Sequence, residues 1–225
     1  MKIRTEQVSK IFTLKNKENK FTSVQPINIE IAENKMTAIT GRSGSGKSTL
    51  LNMLSGILTP TSGKVFYDDK NIYDMNDKEL SEFRSHHIGI IPQGQTAVSS
   101  LTVLENICLP AMLYKTDNMT DIQNHAFELM NKFGIATLRN KKPCTLSGGE
   151  LRRMFIARSM IKKPDIIFAD EPTNDLDNEN TKLILNCLKE TTDSNTTVVI
   201  VTHDRDITDY SDINYTMDAG ILENI

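Results

Sequence analysis

The chain has 225 residues, 38% of them hydrophobic and 24% charged, with a formal net charge of −3. That length suits one large or two small domains with a substantial core, and the composition is that of a globular protein. The charge offers no bulk attraction for nucleic acid, and three scattered cysteines (Cys108, Cys144, Cys187) argue against a disulfide framework or a zinc site.

The opening MKIRTEQVSK lacks the apolar run of a signal peptide. The first thirty-odd residues read as antiparallel strands. Residues 36–40 (MTAIT) read as a buried strand, followed by a glycine loop and a helix over 48–56. Residues 63–73 read as further antiparallel strands. Residues 88–91 form another strand, stopped by Pro92. From Gln93 to Lys163 the pattern is almost wholly helical, with helices expected over 103–113, 121–133 and 149–161. Strands return at 166–169, entered through Pro164-Asp165, and at 196–202, where β-branched residues dominate. Alternating strands and helices predict an α/β fold with a parallel sheet. Residues 94–163 are expected to be a helical insertion within one domain spanning 1–225, whose core comes from 1–93 and 164–225. The longest apolar runs, IIFA (166–169) and VVIV (198–201), are far too short to span a bilayer. Work at a membrane would therefore need spans from another chain.

Three stretches carry chemistry. GRSGSGKST, residues 41–49, fits G-x-x-x-x-G-K-[ST] at every fixed position and lies between a strand and a helix. Gly44 and Gly46 let backbone N–H groups turn inward around phosphates. Lys47 brings a point charge to the β/γ oxygens, and Ser48 offers a hydroxyl to Mg²⁺. The rest of the cradle is Gly41, Ser43, Ser45 and Thr49. IIFADE places Asp170 at the C-terminal edge of a strand, where open α/β sheets bind ligands. Its expected role is to hold Mg²⁺, directly or through water. Glu171 follows, and successive strand-end side chains diverge, so Glu171 suits a general base or a water-orienting group. Alone, Asp170-Glu171-Pro172 could be a mere acidic turn; the phosphate loop tips the choice. Finally, Ser147-Gly148-Gly149 precedes a helix, and free N–H groups at a helix start make a second anion site.

Joined to LSGGE at 146–150, these residues resemble the ATP-binding subunits of ABC transporters along nearly the whole chain. The resemblance implies a P-loop NTPase fold, an ABC-type ATPase core with an N-terminal antiparallel β subdomain and an inserted helical subdomain. It makes 41–49 the Walker A loop and 166–170 plus Glu171 the Walker B motif. LSGGE matches the signature, and Asn174-Asp175-Leu176-Asp177 the D-loop, with Asp177 counted among the nucleotide-site residues. Gln93 takes the Q-loop position, touching Mg²⁺ and the attacking water. His203, in VTHD, takes the switch position at the γ-phosphate. Phe12 sits where the family stacks an aromatic on adenine; a core phenylalanine is the plainer alternative. ATP and Mg²⁺ are the implied ligands, hydrolysis of ATP the implied activity, and nucleic acid is not an expected partner.

The resemblance also gives two phosphate sites a reason. Two such subunits dimerise head to tail on ATP, and the signature residues Ser147, Gly148 and Gly149 of one cap the γ-phosphate held by the other. A separate transmembrane permease is implied, which would hold this subunit on the cytoplasmic face of the cell membrane. SGSGKSTLLNMLSGILTPTSGKV, FRSHHIGIIPQ and LTVLENICLP are similar to the branch of lipoprotein release, macrolide export and antimicrobial-peptide export. Export of a peptide, lipoprotein or amphiphile is the implied task; force transmission to cell-wall enzymes or a sensor stays open beside it. Residues 95–115 would form the groove for the permease, with Leu101, Val103, Leu104, Leu109 and Pro110 as walls, unless this is an ordinary amphipathic core helix. Three positions depart from the family pattern: Glu33-Asn34-Lys35, Asn174-Asp175, and Leu151 ahead of Arg152-Arg153. None removes a catalytic group.

Overall fold

The central parallel strands are buried on both faces, and that decides the architecture. The computed structural model describes residues 1–13, 20–94, 97–113, 118–174, 176–193 and 195–225. In chain order the elements are β1 (Ile3–Thr13), β2 (Lys20–Ile27), β3 (Glu30–Ile31), β4 (Met36–Thr40), α1 (Lys47–Leu54), β5 (Ser62–Tyr67) and β6 (Lys70–Asn71). Then come α2 (Asp77–His87), β7 (Ile88–Ile91), α3 (Val103–Leu113), α4 (Met119–Lys132), α5 (Gly148–Met160), β8 (Ile166–Asp170), α6 (Asn178–Thr192), β9 (Thr197–Thr202), β10 (Ile213–Asp218) and β11 (Ile221–Asn224).

One sheet runs β11-β10-β4-β9-β8-β7, parallel from β10 through β7, with β11 antiparallel at the edge. The other is antiparallel, β2-β1-β5-β6, with β3 also paired to β1. Strand side chains alternate between faces, and here each face has its own core. Met36, Ala38, Ile167, Ala169, Val198 and Ile200 pack with α3, α4, α5 and α6. Their neighbours Ile39, Ile166, Phe168, Val199 and Val201 pack with α1 and the antiparallel sheet. A strand buried on both sides has no polar face to show, which is why these segments read as continuous apolar runs.

Element ends follow local chemistry. Helix α1 stops at Leu54 rather than 56, because Ser55 caps it and Gly56 turns left-handed at φ 71°. Helix α4 starts at Met119, two residues before the expected 121, because the Asn118 side chain accepts from Thr120 N–H. Helix α5 starts at Gly148 on a capping box, in which Ser147 accepts from Glu150 N–H and the Glu150 carboxylate accepts from Ser147 N–H. Residues 72–74 are a 3₁₀ turn capped by Asn71, not the strand expected there.

The expected groove walls need one correction. Val103 is fully buried in the core beneath α3, so it lines no surface. Leu101, Leu104, Leu109 and Pro110 each keep partial exposure, and Leu113 is well exposed at the helix end. Residues 95, 96, 114 and 115 of the proposed 95–115 groove lie outside the described residues, as does Asp175.

Candidate active site

Four strand ends converge. β4 ends at Thr40 and runs into the glycine loop, β8 ends at Asp170, β9 at Thr202, and β7 at Ile91 two residues before Gln93. Because these strands are parallel neighbours, everything just past their C-termini lies along one edge. A cavity of about 390 Å³ opens there, lined by the 43–49 loop except Ser45, by Gln93 and Glu171, and by Phe12, Phe21 and Ser23 of the antiparallel sheet.

The loop is held close to its surroundings, and only glycine allows it. Gly46 has φ 108°, and a Cβ there would lie 2.3 Å from Ser23 O. A Cβ at Gly41 would lie 2.2 Å from Met217 O. Gly46 is also the N-cap of α1 and supplies no side-chain acceptor, so the helix's first N–H groups are left for an anion. Lys47 is buried, its Nζ donating to Gly41 O at 2.7 Å and Arg42 O at 2.9 Å. Burial pulls its pKa down, and the charges of Glu171 and Asp170 work against that. Ser45 is buried too, and its hydroxyl has no hydrogen-bond partner among the described residues. Thr49 is tied to the antiparallel sheet, its hydroxyl accepting from Ser23 Oγ at 2.9 Å.

The two adjacent carboxylates do diverge. Ser48 Oγ donates to Asp170 Oδ1 at 3.0 Å. Burial raises the Asp170 pKa above its ordinary value, with the Ser48 hydrogen bond opposing. Glu171 adopts a left-handed φ of 48°, a conformation that costs about 1–2 kcal/mol outside glycine. Its backbone N–H donates to Val201 O at 2.9 Å, which pins the turn to β9. Its carboxylate swings to the end of β9. There Oε2 accepts from Thr202 Oγ at 2.8 Å and from His203 N–H at 3.3 Å, and lies 3.0 Å from His203 Nδ1. The carboxylate is 9% exposed and the imidazole 57%, and the histidine lines an adjoining cavity that shares Ser43, Gln93 and Glu171 with the first.

Phe12 is 38% exposed and lines the cavity, so it is not a core ring. Directly across the strand pair lies Phe21, 53% exposed and lining the same cavity. Phe21, Ser23 and Thr202 did not emerge from the sequence. Thr202 had a visible signal, as the last strand residue before His203; the other two depend on which strand ends up beside the loop.

Ser147, Gly148, Gly149 and Asp177 are not brought to this cavity. Ser147 and Gly148 are exposed at the start of α5. Asp177 caps α6, accepting from Asn180 N–H at 2.8 Å.

The sequence model of the family described as "ABC transporter" matches residues 24–174. The lipoprotein-releasing system ATP-binding protein LolD of Treponema denticola is 36% identical over 214 residues, covering 95% of this chain and 94% of the relative. The macrolide export ATP-binding/permease protein MacB of Haemophilus ducreyi is 38% identical over 191 residues, covering 85% of this chain but 27% of that longer one. Among solved structures, the dimeric ABC transporter cassette MJ0796 superposes with a TM-score of 0.91 at 31% identity, over 99% of this chain and 98% of its own. The same protein bound to ADP and phosphate, in a post-hydrolysis state, gives the same figures. Fold, sequence and strand-end chemistry converge on one family, and the chain belongs to it: it is an ABC transporter ATPase, a subunit that binds and hydrolyses ATP.

Proposed function

We propose that two copies of this chain close around two ATP molecules and drive a separate membrane permease that exports a peptide, lipoprotein or amphiphile. One observation carries the reading. The chain has a phosphate loop at Gly41–Thr49 and a second glycine-flanked helix start whose Ser147 and Gly148 are exposed and line no part of that loop's cavity. A twofold pair turns two such halves into two whole sites. The dimeric MJ0796 cassette supports the assembly, and the LolD and MacB likenesses support the task. Among the described residues no helix is long and apolar enough to cross a membrane. The LolD likeness supports a place on the inner face of the cell membrane, held there by the permease.

Each residue has a part in this reading. Phe12 stacks on the base, which gives affinity with little base selectivity. The N–H groups of the 43–49 loop, Ser45 among them, and the Lys47 ammonium bind the β- and γ-phosphates. Ser48 and Asp170, two hard oxygen donors 3.0 Å apart, fit Mg²⁺ and would hold it with help from Gln93. When bound, Mg²⁺ neutralises charge on the phosphate oxygens. Glu171 orients the attacking water and takes its proton, with Thr202 and the His203 N–H fixing the carboxylate. His203 faces the γ-phosphate. Ser147, Gly148 and Gly149 close the site from the other copy, and the D-loop ending at Asp177 lies along the same seam.

Glu171→Gln tests this. The amide keeps the shape but cannot accept the proton. Steady-state ATPase activity should fall by two orders of magnitude or more, roughly the span of general-base catalysis. ATP-bound dimers should accumulate on a sizing column. Undiminished turnover, or a variant that stays monomeric in ATP and Mg²⁺, goes against the assignment.

A further inference from the structure

Two helices start side by side at the second anion site. Helix α5 begins at the Ser147 cap and α6 at the Asp177 cap. One side chain, Asn180, joins them. Its Nδ2 donates to both Asp177 carboxylate oxygens at 3.0 Å, and its Oδ1 accepts from Arg153 Nη1 at 2.6 Å. Its backbone N–H also donates to Asp177, and this bond leads the effects that hold the Asp177 carboxyl below the ordinary range. Asn180 packs on the signature turn as well, since a Cβ at Gly149 would lie 3.1 Å from its Oδ1. On the other side of α5, Arg152 Nη1 donates to Pro92 O at 3.1 Å, next to Gln93. Hydrogen bonds thus tie the start of α5 to the segment just before Gln93 on one side and, through a single amide, to the start of α6 on the other.

An amide suits the position chemically. It must accept from a guanidinium and donate to both oxygens of a carboxylate at once, and a side-chain amide does so from separate atoms, an acceptor oxygen and an NH₂ with two donors. Both of its partners are charged, and such hydrogen bonds are about twice as strong as neutral ones.

We infer that Asn180 is a positioning residue that ties the signature turn, through Arg153, to the Asp177 end of the D-loop, so that both segments meet the partner copy as one rigid body. This rests on the composite-site reading above. Asn180 touches no nucleotide in that reading; it acts through Arg153, Gly149 and Asp177.

The experiment uses full-length protein in the Glu171→Gln background and measures two quantities. Sedimentation gives ATP-driven dimerisation, and a fluorescent ATP analogue titrated below the dimerisation range gives nucleotide affinity of the single chain. Asn180→Ala should weaken dimerisation about tenfold, the scale of one charge-assisted hydrogen bond, and leave single-chain affinity within about twofold. Arg153→Met, which keeps the stem and removes the guanidinium, should weaken it similarly. The double variant should lose no more than the worse single variant, because both cut the same tie. Unchanged dimerisation in Asn180→Ala, losses that multiply in the double variant, or lost single-chain affinity would each overturn the role. If the Glu171→Gln parent itself fails to dimerise in ATP, the composite site falls and takes this role with it.

Discussion

Thr202 gives the clearest chemistry at the level of one side chain. It ends β9 and is buried, and its hydroxyl donates to the carboxylate of Glu171 at 2.8 Å. The same oxygen accepts from Asp204 N–H at 3.1 Å, so the hydroxyl hydrogen is committed to Glu171. A carboxylate beside an exposed imidazole can rotate; one also held by a buried hydroxyl is fixed. Thr202→Val keeps the shape and removes the donor. Loss of one hydrogen bond to a charged group is worth about 1.5–3 kcal/mol, so kcat should drop about tenfold to a hundredfold. The KM for ATP should hardly move, because Thr202 does not line the 390 Å³ cavity. Thr202→Ser should keep most of the activity. A Val variant with wild-type kcat would leave His203 as the group that orients Glu171.

At the level of elements, the turn between β4 and α1 holds the tightest constraint. Gly46→Ala would put a methyl 2.3 Å from Ser23 O at a φ of 108°. The backbone conformation alone costs about 1–2 kcal/mol, and the clash forces either the loop or β2 to move. Nucleotide binding by the single chain should be lost, and the thermal midpoint should fall by several degrees, as about 1–2 kcal/mol implies for a chain of this size. An intact affinity would mean that the loop moves away from β2 without harm.

The same element shows how far the sequence could be read. Strand, glycine loop and helix were legible because period and punctuation agree there. Strands β7, β8 and β9 were legible because burial leaves unbroken apolar runs; the parallel strand β10 was not, because its half-buried INYTMD mixes polar with apolar residues. The contact of Gly46 with β2 was not legible, because nothing in either segment says that the second sheet lies against the loop. Val103 failed for a related reason. An apolar residue at the start of α3 looks the same in a groove wall as in the core beneath it. Phe21 also stayed hidden, because its place beside Phe12 depends on the register of β1 and β2, which shifts between Val8 and Ile11.

At the level of the whole molecule, one chain in the proposed composite site carries two half-sites, each serving the partner copy. The Gly41–Thr49 loop lies at the β4 end, while the Ser147 turn is exposed on α5 and shares no cavity wall with Lys47. This predicts complementation. Lys47→Ala spoils the phosphate loop and leaves the signature; Ser147→Arg spoils the signature and leaves the loop. Each variant alone builds two broken sites and should be inert. A mixed pair contains one site with both halves intact and one with neither. In an equimolar mixture half of the pairs are mixed, so ATPase activity should return to about a quarter of wild type if the sites act independently. Ser147→Arg should also bind ATP as a single chain with wild-type affinity, since its loop is untouched. An inactive mixture of well-folded variants would argue against a signature that works across the pair. Lost single-chain affinity in Ser147→Arg would assign the turn to its own chain's phosphate.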